Sequence, residues 1–204
     1  MLASLILVNC KPADSFIPPV DAAGEPFAYL SGEFNDETGT DYLWLEMPEL
    51  EERIEPNMTG GMKRLVCVNA CDAFIRFQDG RSAIPIRNVS RMASLAATQD
   101  WNGDNVDEII LILHENFADE YILMDITTGL PIAPYAVINR REHGGTVTAS
   151  NVFQKDAGKI QYLRSEVGEG GWILKQVVVD PKTFDAAAYA KRRVRAERTG
   201  YDGQ

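Results

Sequence analysis

Histidine and cysteine are scarce in this chain, with two His and three Cys in 204 residues. His114 and His143 stand far from the cysteines in sequence, so no four-ligand zinc site of nitrogen and sulfur is legible. Each reads as a strand-end or turn residue rather than a catalytic base. No HExxH, nucleophile elbow, Gly-rich phosphate loop or Cys/His/Asp order is present. Basic residues are also few, 20 against 30 acidic, and the net charge of −10 excludes nucleic acid, whose phosphates such a surface repels. Most of the positive surplus collects at one end. Residues 182–204 hold six Lys or Arg and three acids, so the rest of the chain carries −13. Long apolar runs are missing as well. The stretch Leu5 to Val8 is far short of the about 20 residues that cross a bilayer.

Helical signals are sparse too. Only the end, "DPKTFDAAAYAKRRVRAERTG", has a Pro start, an Ala- and Arg-rich body and a Gly stop. Elsewhere short apolar and β-branched runs alternate with turns: "PFAYLS", "DYLWLEM", "KRLVCVN", "AFIRF", "EIILILH", "EYILMDI", "PYAVIN", "GTVTASNVF", "IQYLRS" and "GWILKQVVV". Gly-containing breaks between them supply the positive φ that tight connections need. This predicts a mainly β fold with a short C-terminal helix.

Four segments follow: residues 1–10 as a signal-like stretch, 11–26 as a tether, 27–180 as a β-repeat domain, and 181–204 as a basic helix and tail. In "MLASLILVNC" a short apolar run ends at Cys10, a pattern that resembles the end of a bacterial lipoprotein signal and makes Cys10 a lipidation candidate. No Lys or Arg precedes the run, and Asn9 stands where a smaller residue is usual. The other reading is an N-terminal strand with a buried thiol. "KPADSFIPPVDAAGEP" has the Pro and small residues of a tether. Cys67 and Cys71 are a disulfide candidate for an oxidising compartment, or else two buried thiols.

The strands repeat. "GEFNDETGTDYLWLEM" and "QDWNGDNVDEIILILH" align without a gap at an offset of 67 residues, Glu33 on Asp100, Asn35 on Asn102, Glu37 on Asp104 and Asp41 on Glu108. Each copy leads into a bulky apolar strand. A third copy from Asn151 has Lys155 and Lys159 where the others carry acids. Three units of three or four antiparallel strands are expected.

Such concentration of carboxylates before a buried strand calls for a cation. Calcium takes six to eight oxygen ligands, and alternate residues of a turning loop can supply them. In the second unit these are Asp100, Asn102, Asp104, the carbonyl of Val106, and Glu108, with Gly103 allowing the bend. In the first they are Glu33, Asn35, Glu37, the carbonyl of Gly39, and Asp41. Leu111 at position 12 and the extended flanks exclude an EF-hand.

"DWNGDNVDEIILIL", over 14 residues, resembles the FG-GAP or VCBS repeat, the blade of integrin-like β-propellers; "EFNDETGTDYLWL" is a second copy. Asn105 replaces the usual Gly, and Glu108 the closing Asp. The resemblance implies tandem propeller-like blades, here about three and so an incomplete or open ring, since closed propellers use four to eight. It also implies structural Ca2+ between strands. The function expected is a non-catalytic, extracytoplasmic binding, adhesion or assembly module, periplasmic, cell-surface or secreted. Its partner would be a protein or glycan, or further copies pairing through open blade edges, with membrane contact only through a lipid on Cys10. The alternative is a metal-dependent hydrolase using the same carboxylates.

Overall fold

A computed structural model describes residues 16–21, 24, 27–35, 40–54, 63–68, 71–87, 89, 92–97, 99–115 and 117–191. Cys10, and with it the lipidation candidate, lies outside the described residues, as do Glu37 and Gly39.

The chain forms three multi-stranded antiparallel sheets in tandem. The first joins β1 (Tyr29–Gly32), β2 (Asp41–Glu46), β5 (Ala73–Phe77) and β6 (Ile84–Ile86), in that order. A hairpin of β3 (Leu50–Ile54) and β4 (Lys63–Cys67) is inserted between β2 and β5. Cys67 and Cys71 are bonded as a disulfide, with Cα atoms 5.4 Å apart, which ties the end of that hairpin to the entry of β5.

In the second sheet β7 (Ala93–Ala97), β8 (Ile109–His114) and β9 (Ala118–Asp125) lie side by side. Beyond β9 come β10 (Leu130–Pro131) and β11 (Ala136–Asn139), two pieces of one interrupted strand. Two short helices follow, α1 (Arg140–His143) and α2 (Ala149–Val152). The third sheet is the meander β12 (Phe153–Asp156), β13 (Lys159–Gly168) and β14 (Gly171–Val179).

Packing explains why "IILIL" in β8 shows no polar alternation. Successive side chains point to opposite faces of a sheet, and both faces of this one are covered. Ile109 and Leu111 join Ile122 and Met124 against Leu43, Leu45, Ile75 and Phe77 of the first sheet. Ile110, with Tyr121 and Leu123, joins Ile138, Val152, Phe153, Ile160 and Tyr162 on the other side. The second sheet is therefore the middle layer, with β8 and β9 at its centre.

One expectation needs correction. "GTVTASNVF" is not a strand before Phe153: the Asn151 side-chain oxygen accepts the N–H of Thr148 at 2.8 Å, and the N–H groups of Asn151 and Val152 donate to the Thr148 carbonyl. These local bonds close a helical turn where β-branched residues suggested a strand. The tether is held down from Phe16, whose ring stacks on Tyr42 at 4.1 Å and meets Tyr29 edge-on. In the C-terminal segment residues 186–191 are helical, as expected, and the Tyr189 hydroxyl accepts the N–H of Tyr135 at 3.0 Å.

Candidate metal centre

The connection from β7 to β8 carries the second loop, and its turn is built almost wholly from its own side chains. Both Asp100 carboxylate oxygens accept backbone N–H groups, Oδ1 from Gly103 at 2.6 Å and Oδ2 from Asn105 at 3.0 Å. Asn102 Oδ1 accepts from Asp104 N at 2.8 Å, and Asp104 Oδ1 from Val106 N at 2.9 Å. Short acidic and amide side chains that bond two to five residues onward favour a turn over regular structure. Two positions take positive φ, Gly103 at +88° and Asn105 at +68°. Asn tolerates the left-handed region better than most side chains, which is how the loop closes without the usual second Gly.

Asp100, Asp104 and Glu108 converge, with one oxygen of each lying within 4.8 Å of the others. Two oxygens bound to a single calcium at about 2.4 Å cannot be farther apart than about 4.8 Å, so this spacing fits one ion. All donors are hard oxygens, which suits calcium or magnesium and not soft metals. The Asn102 amide reaches the same group, donating to Asp104 Oδ2 at 3.0 Å.

Glu108 is the unusual member. It is 1% exposed and sits at the entry of β8, where its Oε2 accepts the N–H of Trp101. Burial pushes its carboxyl up to about 7; the Trp101 N–H opposes this, and the charges of Asp104, Asp125 and Asp100 add to it. A divalent cation among these oxygens would reverse that balance by favouring the ionised form. The residues present fit such an ion.

The loop is also tied to both flanking sheets. Asp107, which is not among the converging carboxylates, accepts the N–H of Glu33 on Oδ2 at 3.1 Å, and its own N–H donates to the Glu33 carbonyl at 2.7 Å. Gly32 makes room for this clasp, since a Cβ there would stand 2.8 Å from Phe34 and 3.0 Å from Asp107. From the third sheet Lys155 donates its ammonium to the Asp100 carbonyl at 2.9 Å. The residue whose position in the third repeat matches the acidic loops thus supplies positive charge to the second.

The first loop is organised differently. Glu33 takes part through its backbone, in the clasp with Asp107. Asn35 bonds Asp79, whose carboxyl is held low chiefly by Arg81. Arg81 in turn donates to the Phe34 carbonyl at 2.7 Å. Asp41 has one carboxylate oxygen, Oδ2, buried without a hydrogen-bond partner. Among the described residues, Glu33, Asn35 and Asp41 do not form a converging acidic group like that of the second loop.

One constellation had no local signal. His114 does not stand alone: its ring lies between Ser94 Oγ, 3.0 Å from Nε2, and Asp119 Oδ1, 2.9 Å from Nδ1. These residues are 20 and 5 positions away from it, and only strand register brings them together.

Comparison with known proteins found no matching family, curated protein or solved structure. The functional reading therefore rests on the loop itself.

Proposed function

We propose that this chain is a calcium-binding β-repeat protein of FG-GAP/VCBS type, whose ion is structural and whose tandem sheets are propeller-like blades serving as an extracytoplasmic binding, adhesion or assembly module. The observation that carries this reading is the convergence of Asp100, Asp104 and Glu108 within 4.8 Å, with Glu108 buried against its like-charged neighbours. Asn102 and the Val106 carbonyl complete the proposed ligand set. A bound ion supplies charge compensation, and the loop passes the resulting rigidity to the first sheet through Asp107 and to the third through Lys155.

Other features support the setting. The Cys67–Cys71 disulfide suits an oxidising compartment. Among the described residues no helix is long and apolar enough to cross a membrane; a lipid on Cys10 is the attachment this reading proposes. β14 is an outer strand of a sheet with only three strands, and Trp172, Ile173 and Val178 along it are exposed. That edge suits a protein or glycan partner, or a further copy. A shallow cavity of about 90 Å³ lies beside β12 and β13, lined by Gln154, Gln161, Tyr162 and Gln176.

Titration calorimetry with Ca2+ and thermal melts in Ca2+ or EDTA test the proposal. One binding event and a calcium-dependent melting temperature are expected, both lost in Asp104→Ala. Identical melts in calcium and chelator would overturn it.

A further inference from the structure

We propose that Ser94, His114 and Asp119 form a second site, a nucleophilic relay that hydrolyses carboxylic esters with a small apolar acyl group. This is independent of whether the loop at residues 100–108 binds calcium. The three residues come from the adjacent strands β7, β8 and β9. Ser94 lies opposite Ile112, and His114 lies opposite Asp119. Ile112 and His114 are two apart on one strand, so all three chemical groups share a face.

The order of contacts is that of an activated hydroxyl. Asp119 is 8% exposed, and Arg140 holds it, donating from Nε at 3.0 Å and from Nη2 to the same carboxylate oxygen. The guanidinium is itself braced by the Glu115 carbonyl at 2.9 Å. A carboxylate beside Nδ1 assigns the ring proton to that nitrogen, leaving Nε2 to accept from the Ser94 hydroxyl. The imidazole is one-third exposed, so a solvent-borne ester can reach it.

Two apolar side chains flank the group. Met92 and Phe117 are each 76% exposed. The Met92 carbonyl accepts the N–H of His114, and the Phe117 carbonyl accepts the N–H of Arg140, both at 2.9 Å. Met92, two residues before Ser94 and so on the same face, offers an apolar acyl group a contact near the hydroxyl, while Phe117 stands at the β8–β9 turn. β7 is the outer strand of its sheet. Since Met92 and His114 form a bonded pair, ladder alternation turns the N–H groups of Ala93 and Leu95 away from β8; they stand about 7 Å apart, so one of them at a time can donate to a developing oxyanion.

In the reaction Ser94 Oγ bonds to the ester carbonyl carbon as its proton passes to His114 Nε2. The carbon–oxygen bond to the alcohol then breaks, and the alcohol leaves with that proton. Water attacks the acyl-serine and gives a proton to Nε2, the carbon–Oγ bond breaks, and Oγ recovers the proton as the carboxylic acid departs.

The test uses the full chain, folded, below its melting temperature in EDTA. A fluorophosphonate probe should label Ser94 stoichiometrically, as located by peptide mass. Hydrolysis of p-nitrophenyl butyrate should fall at least ~100-fold in Ser94→Ala and in His114→Gln, with unchanged circular dichroism. Asp119→Asn also loosens Arg140, so Ser94→Ala, the loss of one hydroxyl, decides. The rate should persist in EDTA, whereas hydrolysis by a metal held on the carboxylates would vanish. Absence of label at Ser94 in the folded chain, or equal butyrate rates for wild type and Ser94→Ala, assigns the three residues to a structural clasp and ends the proposal.

Discussion

The two acidic loops, 33–41 and 100–108, share a sequence pattern and diverge in structure. In the second loop three carboxylates turn inward to one point; in the first the described residues turn outward, Glu33 to Asp107, Asn35 to Asp79, and Phe34 to Arg81. The difference lies in what else is at hand. Arg81 and Asp79 bond Phe34 and Asn35 of the first loop, whereas the second closes on itself and keeps Glu108 buried. Alike in sequence, the two loops thus differ in which neighbours their described residues bond.

The largest expected effect separates the loops by pH. In the ion-free protein Glu108 keeps its proton to about pH 7, against 4.5 for an ordinary Glu, so the native state binds more protons in that window. Stability is then full below about pH 4.5 and declines as pH rises through 7, by roughly 3 kcal/mol at most. Chelated melts across that range should show the decline in wild type and in Asp41→Asn, and lose it in Glu108→Gln. A Glu108→Gln variant that is less stable than wild type at pH 8 in EDTA would remove the premise of a strained acid.

Calcium is the next lever. At one hundred times its dissociation constant a native-state ligand adds about 2.7 kcal/mol, which for a chain of this size raises the melting temperature by roughly 5–10 °C. Wild type and Asp41→Asn should show that rise, and Asp104→Ala none. An equal loss in Asp41→Asn would mean that the first loop holds the ion as well.

Smaller effects concern the ties between sheets. Asp107→Ala leaves the Glu33 N–H without its acceptor and should cost about 1–2 kcal/mol in urea melts, while the calcium affinity from calorimetry stays within a few-fold. Smallest is Lys155→Ala. Its bond to the Asp100 carbonyl is exposed, so urea melts should move by under about 1 kcal/mol, and a larger change would promote the third sheet to a partner of the loop.

Strand rhythm made the mainly β fold legible, because alternation and Gly breaks act within a few residues of themselves. "IILIL" marked a buried strand, and the structure covers both of its faces. The strand pattern failed where a local competitor intervened, since Asn151 bonded Thr148 and closed a turn, and the partners of His114 had no signal near it in sequence.

The second loop is the part of this protein that the amino-acid order determines by itself. Asp100, Asn102 and Asp104 bond backbone groups two to five residues onward, and such short closures need no help from the rest of the chain. Tertiary structure alone decided the burial of Glu108, the clasp of Asp107 with Glu33 across 74 positions, and the meeting of Ser94, His114 and Asp119. Those depend on strand register, which alternation and turns fix along the chain, and on which sheet covers which, which is settled by packing between apolar faces far apart in sequence.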